Sequence, residues 1–208
     1  MKEQLQKDFD NTIKNLTLSQ KDIEIKKFYL DNFINKGFPN RREEDWKFSD
    51  LNQIIKKNIG ELSFYSDYTS TNKVDTSAFV DGLEHNKIVF INGRIEKIDF
   101  DYEKKDQIEI IDQSETINKF NNNSSLSDLN SAFTNKSFKI VVKEGYQLTK
   151  PLIIYHTTNS KIWSKNINLR LNFELYENSS LRLIDLFRDT SEKNFLNIFY
   201  NFDLKENS

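Results

Sequence analysis

Leu5, Phe9, Ile13 and Leu16 recur at intervals of three and four residues near the start of the chain, a spacing that aligns apolar side chains along one face of a helix. A second stripe, Ile25, Phe28, Tyr29 and Phe33, predicts another helix with one buried face. Ser19 is placed to cap that helix with Asp22 in its first turn, and Gly37 followed by Pro39 stops it. Ser49 then precedes Leu51, Ile54 and Ile55, which predicts a third, short helix capped by Ser49 and closing near Gly60.

From Lys87 the period changes from helical to alternating. Ile88 to Ile91 and Ile95 to Phe100 flank Asn92-Gly93, a dipeptide whose tolerance of positive φ suits a type I′ hairpin. Runs rich in Ile, Val, Leu and Phe follow at Ile108 to Ile111, Phe138 to Val142, Leu152 to His156, Ile167 to Leu175, Leu181 to Phe187 and Phe195 to Leu204, each reading as a strand. The stretch from Ser114 to Phe133 is polar and rich in Asn and Ser, with a single helical turn expected at Leu129 to Phe133.

The strand region repeats itself. Phe173-Glu174-Leu175-Tyr176-Glu177-Asn178-Ser179 recurs as Phe202-Asp203-Leu204-Lys205-Glu206-Asn207-Ser208, with a looser copy at Val141 to Gly145. A unit of strand, acidic corner and strand returning at about thirty residues reads as a solenoid, whose rungs bury their apolar faces only by stacking. The expected fold is therefore mainly β: a parallel β-helix preceded by a small α-helical region, with a meandering antiparallel sandwich as the competing architecture. Residues 1–85 form the helical region and an irregular linker, and residues 86–208 form the first rungs. Asn178-Ser179 leads into the apolar strand Leu181 to Ile184, whereas the chain ends on the equivalent corner at Ser208, so the expectation is a solenoid cut within a rung.

Composition narrows the chemistry. With no cysteine the chain supplies neither a disulfide nor a thiolate ligand. His85 and His156 are the two histidines, and neither has a carboxylate at helical metal-binding spacing. Thirty basic against thirty-two acidic residues, interspersed, argue against a sequence-independent nucleic-acid binder. Met1-Lys2-Glu3-Gln4 is followed by no apolar segment of signal-peptide type, and no apolar run reaches membrane-spanning length, which predicts a cytoplasmic protein.

The densest charged group is Arg41-Arg42-Glu43-Glu44-Asp45-Trp46-Lys47-Phe48. Glu44 with Asp45 could form an acid–base pair, or the two arginines could grip an anion. The structural alternative is a charged entry to the third helix with Trp46 and Phe48 anchored on the core. No nucleophile, phosphate cradle or second cluster accompanies it, and the structural reading is preferred. His156 closes an apolar strand, where it could act as a ligand or in proton transfer, but a lone histidine there reads as a hydrogen-bonded structural residue, and His85, beside Glu84, has less claim to chemistry. Trp163 and Phe173, Phe187, Phe195, Phe199 and Phe202 read as packing aromatics and not as base-stacking platforms.

The run Asn40 to Leu51 resembles the "RREEDWKYT-L" signature of the SufB/SufD family of iron–sulfur cluster assembly subunits, and its early position is that of the SufD branch. Three further segments agree in order: Val89 to Arg94 resembles "VFVNGRF", Leu129 to Phe133 resembles "LNAAF", and Pro151 to His156 resembles "PIHLLH". The corner repeats are similar to the family's "GENASLTLIE" rungs. The resemblance covers about residues 20 to 208. It implies a right-handed parallel β-helix between two helical regions, the carboxy-terminal one carrying the contact to the ATPase SufC. The far end of the β-helix would pair with SufB and hold the proposed cluster-site residues.

On this reading the chain is the front half of a non-catalytic scaffold in a SufB–SufC–SufD complex. It carries no catalytic, cofactor-binding or metal residue of its own, and the iron–sulfur cluster belongs to the assembled complex. SufB-like and SufC-like subunits are the expected partners, with neither nucleic acid nor membrane, and an unpaired rung edge is expected to invite self-association. Two rivals stand beside it. A polysaccharide-active β-helix would draw on Arg182, Asp185, Arg188 and Asp189, and an RNA-binding solenoid would show steep salt dependence.

Overall fold

In the computed structural model, helices precede and flank two mixed β-sheets. The structure describes residues 2–14, 16–61, 63–64, 74, 79–113, 124–159, 162–188 and 193–208. Helix α1 spans Lys2–Lys14 and buries Leu5 and Phe9, as the spacing predicts. Helix α2 spans Gln20–Lys36; the Ser19 side chain accepts from the Asp22 N–H, and Gly37, at φ 75°, donates to the Phe33 carbonyl. Helix α3 spans Leu51–Asn58, but its cap is Asp50 and not Ser49, since Asp50 Oδ1 accepts from the Gln53 N–H at 3.0 Å while the Ser49 N–H turns back to the Trp46 carbonyl. A carboxylate there also meets the positive end of the helix dipole.

Among the described residues nine strands follow: β1 (Ser63–Phe64), β2 (Asn86–Ile91), β3 (Arg94–Asp99), β4 (Ile108–Asp112), β5 (Lys136–Val142), β6 (Leu152–Thr157), β7 (Lys165–Leu175), β8 (Leu183–Phe187) and β9 (Phe195–Leu204). The β2–β3 hairpin turns through Asn92 at φ 54° and Gly93 at φ 78°, the type I′ conformation expected. In the first sheet β7 is central: β1 and β5 pair along one edge, β9 along the other, and β4 adds antiparallel to β5. The second sheet has the order β3-β2-β6-β8. All pairings except β2–β3 and β4–β5 are parallel, so the antiparallel sandwich does not hold. The chain alternates between the sheets from β5 to β9. Between them lies one apolar core that includes Ile88, Phe90, Ile140, Val142, Leu152, Ile154, Leu171 and Phe173.

The sequence repeat is a structural repeat. Phe173 pairs with Phe202 and Leu175 with Leu204, while the looser copy places Val141 opposite Glu174 and Val142 opposite Leu175. The corners stack too. Gly145, Asn178 and Asn207 all have positive φ, of 70°, 56° and 56°. The Gly145 N–H donates to the Glu177 carbonyl, the Asn178 N–H to the Glu206 carbonyl, and Asn207 Nδ2 to Asn178 Oδ1 at 3.3 Å. Glycine and asparagine tolerate this left-handed conformation best.

Each sheet is covered on its outer face. Val74, Phe79 and Leu186 pack on Val89, Ile91, Ile153 and Tyr155 of the second sheet. Over the first sheet lies helix α4, Ser125–Phe133, more than the single turn expected at its end. Its Leu129, Ala132 and Phe133 join Leu5, Phe9, Leu30 and Phe33 in a second core. The face of α2 that meets α4 holds Ile25, Lys26, Tyr29, Leu30 and Phe33, while Phe28, expected inside, is 55% exposed.

Lys26 takes the inward place because α4 ends there. Its ammonium donates to the carbonyls of Ser131, Ala132 and Thr134 at 3.4, 3.3 and 2.7 Å, at the negative end of the α4 dipole. Burial, then the neighbouring Arg170 charge, push its pKa down to about 7, against the weaker opposing pull of Asp22. Between that value and the ordinary 10.5 the unfolded chain holds a proton that the folded chain has lost. Stability should therefore rise with pH from about 7 to about 10, by up to about 1.4 kcal/mol per unit. Urea titrations of the wild type and Lys26→Met at pH 7, 8 and 9 check this. The slope should vanish in the variant, and equal slopes would remove Lys26 as its source.

Candidate functional site around His156

Parallel pairing puts Phe90 of β2, His156 of β6 and Phe187 of β8 at the same place on successive strands. Their rings stack: His156 lies 5.3 Å from Phe90 at 11° and 5.0 Å from Phe187 at 18°, centroid to centroid. The imidazole is 2% exposed. Asp185 pairs with Ile154, a core residue, and so projects inward from β8, whereas Tyr200 pairs with core Leu171 and reaches in from the opposite sheet.

These three side chains converge. His156 Nε2 lies 3.0 Å from Tyr200 Oη and 2.9 Å from Asp185 Oδ1. Tyr200 also hydrogen-bonds Asp185. Burial first, and then the Asp185 charge and hydrogen bond, hold the phenol well above its usual range, so it keeps its proton at neutral pH. Nε2 has one proton or one lone pair to offer and faces two oxygens. Asp185 Oδ1 is accordingly a buried acceptor with no donor aligned on it among the described residues. The expectation that His156 is hydrogen-bonded holds, within a group wider than its strand position indicates.

Among the described residues, no three His, Cys, Asp or Glu side chains come together as a metal site. Asp185 faces the core, and the guanidinium of Arg182 donates to the Thr149 carbonyl at 3.3 Å. Asp189 lies outside the described residues. His85, expected in a polar loop, is 2% exposed. Its Nδ1 donates to the Leu83 carbonyl at 2.6 Å, so Nε2 accepts from the Tyr155 hydroxyl at 2.7 Å, and that oxygen accepts from the Val80 N–H.

The charged signature folds as a 3-10 turn over Glu44–Trp46, held by Glu43 Oε1 on the Asn40 N–H. Trp46 is half-buried, but Phe48 is 87% exposed with the Lys47 ammonium 5.0 Å from its ring. The anchoring expected of Phe48 is therefore corrected. The turn directs the ring outward while Leu51 and Ile55 take the inner face of α3. Trp163 and Phe187 are also more than half exposed, whereas Phe173 is buried and Phe199 lies 4.5 Å from the Arg170 guanidinium.

Sequence reading found His156 and Asp185 separately and did not single out Tyr200. Aligning strands by the repeat would have placed Phe90, His156 and Phe187 in one column. It would not have brought Tyr200 across from the other sheet. No protein-family model and no curated protein matches this chain.

Proposed function

We propose that this chain is a non-catalytic scaffold subunit of SufD type, cytoplasmic, whose stacked strands are rungs of a right-handed parallel β-helix. The observation that carries the reading is the in-register repeat: Phe173-Glu174-Leu175 lies beside Phe202-Asp203-Leu204, and positive-φ corners stack above one another. A surface built this way is rigid because every rung shares backbone hydrogen bonds with the next.

The segments that carry the resemblance occupy the joints of such a platform. Asn92-Gly93 turns the hairpin, Leu129 to Phe133 ends α4 under α2, and Pro151 to His156 leads into and forms most of a strand paired on both edges. ATP hydrolysis would come from a SufC-like partner, and the cluster would be built on the assembled complex with a SufB-like partner.

Co-expression tests the reading. A form of the chain carrying a further carboxy-terminal region should purify stoichiometrically with SufB-like and SufC-like subunits, and the 208-residue chain should not retain the ATPase. Absence of association by either form would overturn the scaffold reading and leave an independent binding solenoid.

A further inference from the structure

We propose that His156, Asp185 and Tyr200 form a binding site for a single divalent first-row transition-metal ion of the zinc or cobalt class, set inside the strand stack. This goes beyond the scaffold reading and does not depend on it. Donor atoms bound to one such ion at about 2.0–2.2 Å sit about 3–3.5 Å from one another. His156 Nε2 stands 3.0 Å from Tyr200 Oη and 2.9 Å from Asp185 Oδ1, already at the spacing of adjacent ligands.

The second observation is the orphaned oxygen. Asp185 Oδ1 is shielded from solvent and receives no hydrogen bond from the described residues, although His156 Nε2 is beside it. A buried carboxylate oxygen without a donor is costly, and a cation among the three groups removes the cost. One imidazole nitrogen, one carboxylate oxygen and one phenol oxygen make a mixed N/O set that suits zinc or cobalt better than a hard ion such as magnesium. The ion would take the place of the proton that Tyr200 shares with Asp185, releasing it to solvent.

Packing fixes the ligands. Stacking between Phe90 and Phe187 holds the imidazole plane, and three different strands supply the donors. Access is from the Asp185 side, where the carboxylate is 27% exposed while His156 is 2% exposed.

Cobalt(II) alone is the probe, because its visible absorption intensifies when water is replaced by protein ligands of low symmetry. Titrating the 208-residue chain should give an intensified band saturating at one ion per chain and reversed by chelator. Tyr200→Phe, which keeps the ring, and Asp185→Asn, which keeps the shape, should each weaken binding at least tenfold while circular dichroism stays that of the wild type. Zinc(II) should displace cobalt from the wild type with loss of the band. No band in the wild type, or a band of equal affinity in both folded variants, would overturn the proposal. The readout involves no partner subunit, so failure here leaves the scaffold reading untouched, and failure of co-purification leaves this site untouched.

Discussion

Truncating Leu171 to alanine is expected to destabilise the protein by about 3–5 kcal/mol, the largest effect of any single substitution considered. Leu171 is fully buried at the centre of β7, paired with Phe138 on one side and Tyr200 on the other, and its side chain lies in the core that joins the two sheets. Both neighbours are strand residues held in a ladder, so the surroundings cannot collapse onto the missing methyl groups. Against a total stability on the order of 5–15 kcal/mol such a loss would leave the folded state marginal. Urea denaturation gives the measurement, with Ile98→Ala as the contrast. Ile98 is 48% exposed on the outer hairpin strand and should cost under about 1 kcal/mol. Equal losses at the two sites would mean that the sheets do not share a core around β7.

Replacing Glu103 by glutamine should cost about 2–4 kcal/mol at neutral pH and remove an acid-sensitive part of the stability. Its carboxylate ties the end of the hairpin to the turn between β5 and β6. Asn86 Nδ2, the Tyr146 hydroxyl, the N–H groups of Thr149 and Lys150 and the Thr149 hydroxyl all donate to it at 2.7 to 3.1 Å. Burial works to raise its pKa, but these donors outweigh it and hold the group below its ordinary 4.5. With the folded value the lower one, the contribution is complete above pH 4.5 and is lost as pH falls through the folded value. The wild type should lose more stability than Glu103→Gln between pH 5 and pH 3, and the two curves should converge in acid. Curves that stay parallel would show that the clamp carries no charge-dependent stability. Glutamine keeps the shape but offers one acceptor oxygen where the carboxylate has two.

Much of the fold was legible because its signals are local. Ser19, Gly37 and the Asn92-Gly93 turn act through the backbone of their own neighbours, so the same residues do the same work in the sequence and in the structure. The repeat at Phe173 and Phe202 was legible for a related reason: a strand that stacks on a copy of itself must repeat its apolar positions and its corner.

The inner face of α2 was misread at Phe28 because helical spacing identifies a stripe and not the object that covers it. α4 packs on the side of Lys26 and Leu30, and a lysine is tolerated there only because the carbonyls at the end of α4 receive its protons. The length of α4 was missed for a similar reason. Ser125, Ser127, Asp128, Asn130 and Ser131 are buried on it, a pattern that reads as loop until the sheet beneath is seen. Asn130 donates to the carbonyls of Leu169 and Asn197, and Asn197 donates to Asn168 Oδ1 and to the Leu126 carbonyl. Alternation in β7 would turn Asn166, Asn168 and Arg170 to solvent, yet all three are buried beneath the helices.

What the sequence by itself determined was therefore most of the helices and strands, the hairpin and the repeated strand-and-corner unit, each fixed by backbone preference or by residues close in the chain. The tertiary structure alone decided which polar groups are buried and what meets them, including the convergence of His156, Asp185 and Tyr200 from three strands. A buried polar group is acceptable only where a partner from elsewhere in the chain satisfies it, and pairing at that distance has no periodicity to read.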